Sequence, residues 1–206
     1  MLKIWGRISS LNVRKVVLAA QWLSVPFERI DAGGQYGITN TPEYLGRNPN
    51  ALVPLLDDEG FELWESNAIV RYLCAKHATG TLYPESLQAR FDAERWMDWQ
   101  QTTLNPAGRD AFVQLIRTNP VERAADLIAK SVAATKPLLT LLDRHLAHQP
   151  FMAGSSFTMA DVPIACELHR WWGLPLEHEK HEHLERWYLS IKAQPTARGV
   201  LDLTLS

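Results

Sequence analysis

Hydrophobic periodicity changes character once along this 206-residue chain, near residue 80, and that switch limits the folds open to it. Before it, short alternating stretches are interleaved with helix-period stretches; after Leu87 the apolar residues recur at helical spacing almost throughout. Leu2 and Ile4 alternate with polar or exposed positions and predict a strand, and Val13, Val16, Val17 and Ala20 then predict a helix. Phe27 and Ile30, following Pro26, predict a second strand, and a strand, helix and strand of this length suit a parallel crossover. The stretch "GGQYGITNTPEYLGRNPNA" is too polar for a core and reads as a loop, with a short helix starting at Thr41-Pro42-Glu43. "LVPLLDDEGFELWES" reads as a hairpin turning at Asp57-Asp58-Glu59-Gly60. Ile69, Val70 and Leu73 then form one face of a helix that follows Glu65-Ser66.

The resulting order, β-α-β, loop, β-β-α, matches a thioredoxin-like sheet. "HATGTLYPES", with Gly80 and Pro84, reads as a connector. Helices are predicted over 87–104, 107–117, 121–147, 159–172 and 183–193, separated by Asn-Pro, Gly or Pro signals, with Pro137 kinking the third. The expected fold class is therefore an α/β thioredoxin-like N-terminal domain, residues 1–80, followed by an all-α helical C-terminal domain, residues 87–206. Within the second part, "FTMADV" reads as a helix-start device: Thr158 caps, Asp161 answers three residues later, and Phe157 packs on Val162. That spacing accounts for Asp161 without chemistry.

A hydrophobic content of 46% supplies a core, and 21 basic against 23 acidic residues leave a net charge of −2, which offers no field for nucleic acid or an anionic membrane. "MLKIWGR" lacks a secretory signal, and no apolar run approaches the ~20 residues of a membrane span, so a cytoplasmic protein is expected. Cys74 and Cys166 form no C-x-x-C pair and read as buried fillers, which argues against a thioredoxin-type disulfide oxidoreductase. His178, His181 and His183 in "EHEKHEHLERW" match no closed zinc pattern, and no metal is expected. Most of the eight tryptophans read as core, with Trp99, Phe112 and Trp172 as candidates to line a pocket. Arg7, Arg109 and Arg117 are open to a role with the thiol, substrate or solvent, but isolated arginines read more often as solvated or ion-paired surface groups, and they are left out of the expected site.

Three small polar side chains, Ser9, Ser10 and Asn12, stand in "GRISSLNVRKVVLAAQ" where strand gives way to helix. They either cap the helix or hold an anion, since the unpaired N–H groups and the dipole at a helix start favour negative charge. Val53-Pro54 opens the hairpin, and Glu65-Ser66 precedes a helix, with the same two readings open there.

Taken together, "SSLNVRKV", "NPNALVPLL" and "WESNAIVRYL", in this order and followed by an all-helical half, resemble a glutathione transferase over nearly the whole chain. Ser10-Leu11-Asn12-Val13 resembles the S-x-N-V element of phi-class enzymes and "WQQTTLNP" resembles a theta-class helix, the overall look being that of a bacterial serine-type member. The resemblance implies that glutathione is the co-substrate and that Ser10, with Asn12 as a second donor, stabilises its thiolate. It implies a cis Pro54, Val53 backbone groups that pair with the cysteinyl backbone, a Ser66 hydroxyl at the γ-glutamyl carboxylate, and Glu65 at its ammonium. It also implies a homodimer and an electrophile pocket assembled by the helical half. Leu52 and Asn40 depart from the Gln or Lys, and the Lys or His, that many members carry near these places. The expected function is conjugation of glutathione to small electrophiles, extending to peroxide reduction or dehalogenation, with a non-catalytic binding module as the alternative.

Overall fold

The computed structural model describes all 206 residues. A four-stranded sheet forms from β1 (Leu2–Trp5), β2 (Phe27–Ile30), β3 (Leu55–Asp58) and β4 (Phe61–Trp64), in the order β2-β1-β3-β4. β1 and β2 are parallel, with Leu2 opposite Phe27 and Trp5 opposite Ile30; β3 runs antiparallel to both β1 and β4, with Ile4 opposite Leu56 and Leu55 opposite Trp64. The hairpin turns at Glu59 and Gly60, both at positive φ, and Asp57 Oδ1 accepts the Gly60 N–H at 2.9 Å. The short helix α2 (Pro42–Arg47) starts as its sequence implies, with Thr41 accepting the Tyr44 N–H and Pro42 in its first turn.

Helix α1 (Leu11–Trp22) is buried without interruption from Val13 to Ala20. An amphipathic surface helix leaves one face in water; α1 instead packs on β1 and α3 (Ser66–His77) on one side and on α7 (Asp161–Trp172) on the other. Its two buried cations are consumed by that arrangement. Arg14 donates to the carbonyls of Ile8 (3.0 Å), Val200 (2.8 Å) and Thr204 (3.1 Å), and so pins the C-terminal tail across the helix. Lys15 donates to Gln101 Oε1 at 3.0 Å, and burial lowers its pKa to about 8.

The helical part differs from expectation at two places. Helices α4 (Leu87–Trp99) and α5 (Asn105–Phe112) are continuous through a π-helical stretch at Gln100–Leu104, and a second such stretch, Val113–Arg117, follows α5. Asn105-Pro106 therefore does not separate two helices. A proline removes one N–H and crowds the carbonyl four residues earlier, and a widened turn just before it accommodates both effects. Pro137 lies inside α6 (Ala125–Leu146), which starts later than predicted because Pro120–Glu122 forms a separate 3₁₀ turn. α7 starts at Asp161, and α8 (Glu182–Lys192) follows.

Asp161 is fully buried and works structurally: its carboxylate accepts the N–H groups of Met152 (2.9 Å) and Thr158 (2.8 Å) and the indole N–H of Trp187 (2.8 Å). Thr158 Oγ1 accepts the Ala160 N–H at 3.3 Å, and Phe157 stacks on Trp22 of α1 with ring centroids 3.7 Å apart. Both cysteines are buried, and burial pushes both thiols up to about 12.

His169 supplies the second clamp on the tail. Its Nε2 lies 2.8 Å from the Leu203 carbonyl and its Nδ1 2.9 Å from the Tyr188 hydroxyl, a pattern a neutral ring completes by donating to the first and accepting from the second. Burial lowers its pKa from 6.5 to about 4. The unfolded chain then binds this proton at higher pH than the folded chain, so the contribution is fully present above about pH 6.5 and is lost as pH falls towards 4. We expect wild-type stability to fall by roughly 2–3 kcal/mol more than that of a His169→Gln variant between about pH 7 and about pH 4.5 in urea unfolding. Parallel profiles would remove His169 from the acid response.

Candidate functional site

A cleft of about 670 Å³ lies between the two parts of the molecule. Its floor is the β1–α1 turn, one wall is the loop before β3, and the other is the face of α5 together with the π-helical stretches flanking it. Gly6 sets the spacing of the first two. With φ +149° and no side chain, it lets Val13 and Val53 close over the turn; a Cβ there would lie 2.4 Å from Val13 Cγ2 and 3.2 Å from Val53 Cβ.

Ser10 occupies the N-cap position of α1 with extended backbone, and its carbonyl accepts the Arg14 N–H at 3.0 Å. Its hydroxyl makes no capping bond and lines the cleft, and the first turn of α1 carries no acidic residue. The unpaired N–H groups at this helix start therefore share one space with a free hydroxyl.

Asn12 borders both this cleft and a small groove of about 40 Å³ lined by Val53, Pro54, Trp64, Glu65 and Ser66. Its Oδ1 accepts the Ser66 hydroxyl at 3.2 Å, joining the start of α1 to the start of α3 across 54 residues of sequence. Ser66 is buried, whereas Glu65 is exposed, holds the unusual φ of +73°, and has no ion-pair or hydrogen-bond partner for its carboxylate. Val53-Pro54 is cis, and neither the N–H nor the carbonyl of Val53 is paired within the chain. Ser10, Asn12, Val53, Pro54, Glu65 and Ser66 thus converge on one cleft and its adjoining groove.

Several expectations are corrected here. Of the aromatic candidates only Phe112 lines the cleft; Trp99 packs edge-on against Trp96, and Trp172 against Tyr188. Thr39, not Asn40, borders the cleft, and Leu52 does so with its side chain largely exposed. Arg109 and Arg117 are exposed, as expected of solvated arginines, and Arg7 is half-buried; all three also line the cleft, joined by Arg170, and none of the three has a carboxylate within 4.0 Å. Burial, followed by the charges of Arg7, Arg170 and Arg109, lowers the Arg117 pKa. A signal for this wall was present in the sequence: Asn105, Arg109 and Phe112 recur at helical spacing on one face. The histidines of the acidic segment are tied locally, His178 Nε2 to the Leu174 carbonyl at 3.1 Å and His181 Nδ1 to the Glu179 carbonyl at 3.0 Å.

Two family models match the chain: glutathione S-transferase, N-terminal domain, over residues 1–75, and glutathione S-transferase, C-terminal domain, over residues 124–189. The chain is 39% identical to glutathione S-transferase GstB of Escherichia coli over 208 aligned residues, with 100% of each chain covered. It superposes with a TM-score of 0.96 on the crystal structure of the theta class glutathione S-transferase from Xanthomonas axonopodis pv. citri with glutathione bound, at 38% identity and covering 100% of this chain and 99% of that one. It is also 30% identical to elongation factor 1-gamma 1 of Oryza sativa over 92% of its own length and 46% of that protein.

The close approach at Gly6 generates a test of the turn. Gly6→Ala should destabilise the protein by about 1–3 kcal/mol in denaturant unfolding, the usual range for forcing a group into a packed site. Gly46→Ala, where an added Cβ meets nothing within 4 Å, should not destabilise it. Equal effects of the two substitutions would show that the turn is not held by this contact.

Proposed function

The chain belongs to the glutathione S-transferase family, and we propose that it binds glutathione across the start of α1 and the loop before β3, holds its sulfur as thiolate, and conjugates it to a small electrophile. The observation that carries this reading is the Ser10 hydroxyl, which stands at a helix start, makes no capping bond and lines the cleft. Residues 1–80 supply the glutathione site and residues 87–206 the far wall that receives the electrophile.

The ligand's chemistry fits the unpaired groups in turn. Glutathione is an extended peptide, and the free N–H and carbonyl of Val53 suit antiparallel pairing with its cysteinyl backbone. Its γ-glutamyl end carries a carboxylate and an ammonium; the start of α3, with Ser66, suits the first and the unpartnered Glu65 suits the second. Asn12, bonded to Ser66, is placed to orient that end and to offer its amide to the cleft.

A free thiol with a pKa of about 8.5 is only a few per cent ionised at neutral pH, and lowering it by about two units takes roughly 2.7 kcal/mol of preference for the thiolate. One hydrogen bond to a charged acceptor contributes about 1.5–3 kcal/mol, so the Ser10 hydroxyl and the dipole of α1 are together of the right size. Ser10 donates a hydrogen bond to the sulfur, keeps its proton and forms no covalent bond. The sulfur then attacks carbon, and the leaving group departs with its bonding pair. Detoxification by conjugation, with extension to peroxide reduction or dehalogenation, follows from the same thiolate.

No helix is long and apolar enough to cross a membrane, which fits a cytoplasmic role. A homodimer fits the exposed apolar side chains Phe61 on β4 and Leu87 and Phe91 on α4. A non-catalytic glutathione-transferase-like binding module is the second reading, favoured by the 30% identity to a protein named elongation factor 1-gamma 1 rather than transferase.

Ser10→Ala should lower turnover by about ten- to a hundredfold and move the pH–rate profile to higher pH, with glutathione binding largely retained. An unchanged profile and unchanged turnover would assign the thiolate to another donor. Wild-type protein that binds glutathione but turns over no halide, epoxide, activated alkene or hydroperoxide would favour the binding module. Glu65→Ala and Ser66→Ala should weaken glutathione binding by roughly ten- to a hundredfold with less effect on turnover at saturation, since both lie away from sulfur. Calorimetry giving wild-type affinity for both folded variants would remove the γ-glutamyl assignment.

A further inference from the structure

The cleft contains an imbalance of charge that conjugation by itself does not require. Four arginines line it, Arg7, Arg109, Arg117 and Arg170, and no acidic residue does. Arg170 is neutralised: it pairs with the buried Glu167 and also donates to Asn105 Oδ1 at 2.9 Å. Arg7, Arg109 and Arg117 have neither an ion pair nor a side-chain hydrogen bond. They are close enough for their charges to act on Arg117, and like charges gathered without compensation are unfavourable in the empty protein.

Arg7 and Arg117 are also seated by their neighbours, while Arg109 stands exposed on the α5 wall. Gly33 and Gly34 carry no side chains where the Arg7 guanidinium lies: a Cβ on Gly33 would be 3.1 Å from its Nη1, and one on Gly34 3.2 Å from its Nε. Arg117 lies over the Phe112 ring, 4.7 Å from its centroid, and Arg170 over the same ring at 5.3 Å. Phe112, Val113 and Pro106 give this wall an apolar surface beside the cations. The groove assigned to the γ-glutamyl end lies beyond Asn12, and none of the arginines borders it.

We propose that the electrophile is itself an anion, an apolar or aromatic body carrying a carboxylate or a similar group near its reactive carbon, and that Arg109, Arg117 and Arg7 hold that group while Ser10 holds the sulfur. This rests on the conjugation reading above. Bringing an anionic substrate to a thiolate sets two negative charges side by side, and unpaired guanidiniums between them offset the repulsion. The step balances as a displacement: the thiolate sulfur supplies the pair for the new C–S bond, the halide leaves with the old C–X pair, and the substrate's carboxylate stays ionised throughout. Arginine suits the task because its planar fork matches a carboxylate and keeps its charge.

The test uses a matched pair, 4-chloro-3-nitrobenzoate and 4-chloro-3-nitrobenzamide, with each enzymatic rate divided by its uncatalysed rate with glutathione. The wild type should favour the benzoate by at least tenfold in kcat/KM, and the preference should shrink as salt is raised. Arg109→Gln and Arg117→Gln should each lower the benzoate-to-benzamide ratio by about tenfold, Arg117→Lys should recover part of it, and Arg7→Gln should act in the same direction. Binding of 3-nitrobenzoate, which has no leaving group, to the glutathione-saturated enzyme should weaken in parallel by calorimetry. Equal use of both probes, with a ratio indifferent to these substitutions, would overturn the proposal and leave conjugation standing. A rise in the glutathione KM that accounts for the losses with both probes would also overturn it, by assigning the arginines to glutathione. No turnover of either probe, alongside arginine-dependent 3-nitrobenzoate binding, would uphold the anion site and sink the conjugation reading instead.

Discussion

The burial of α1 on every side is the constraint from which the rest of the structure follows. A helix whose residues from Val13 to Ala20 are all out of water cannot slide or rotate without moving both the sheet and the helical part. Its two buried cations sharpen that restriction, because a buried charge is tolerable only where it is paired or fully hydrogen-bonded. Arg14 reaches tail carbonyls 186 and 190 residues away, and Lys15 reaches Gln101 across 86 residues. Desolvation pulls the Lys15 pKa down to about 8, while the nearby Glu167 carboxylate opposes that pull. One turn of helix thus locks the tail, the sheet and the π-helical stretch to one another, and Ser10 and Asn12 ride at its end.

That anchoring explains why the cleft and the buried interface treat similar charges so differently. Inside the interface each buried cation is paired or hydrogen-bonded: Arg170 to Glu167, which also accepts from the Gln100 amide at 2.7 Å, Lys15 to the Gln101 amide oxygen, and Arg14 to backbone carbonyls. A few ångströms outward, in the cleft, three arginines stand unmatched. A protein indifferent to the contents of that space has no physical reason to gather them there, since each surface arginine is better solvated alone.

What was legible in the sequence was local. The hairpin at Asp57–Gly60 and the Thr41 cap are each decided within a few residues and form as their residues imply; of the Thr158–Asp161 device, Asp161 accepts the Thr158 N–H as expected, but α7 starts at Asp161 with Ala160 at its N-cap, and Phe157 stacks on Trp22. The convergence of Ser10, Val53 and Glu65 was legible only through resemblance to a family, because no spacing rule brings those segments to one cleft. The misreadings have physical causes. Asn105-Pro106 reads as a break because proline disfavours a helix interior, and the widened turn that accommodates it leaves no local signature. An isolated arginine reads as solvated, and only the fold, which sets α5 across the cleft from the β1–α1 turn, shows that Arg7 and Arg109 border the same space. Trp99 and Trp172 are wide enough for a pocket, yet their partners are other aromatic rings.

The way the helices begin separates the folding role of these residues from their chemical one. Thr41 caps α2 by accepting the Tyr44 N–H, and Ser86 caps α4 by accepting the Ala89 N–H at 3.2 Å; neither helix start borders the cleft or its groove. α1 and α3 do border them, with Ser10 and Glu65 at their N-caps, and neither of those side chains makes a capping bond. Ser10 is of the type that caps well, yet its hydroxyl is left without a capping partner. Glu65 goes further and holds a left-handed conformation that a glycine would adopt more easily. Unlike α2 and α4, the starts of α1 and α3 leave N–H groups, a hydroxyl and a carboxylate open at the cleft and its groove. The two openings adjoin through the Asn12–Ser66 hydrogen bond, so a single ligand with an anionic sulfur and a zwitterionic end can complete both at once.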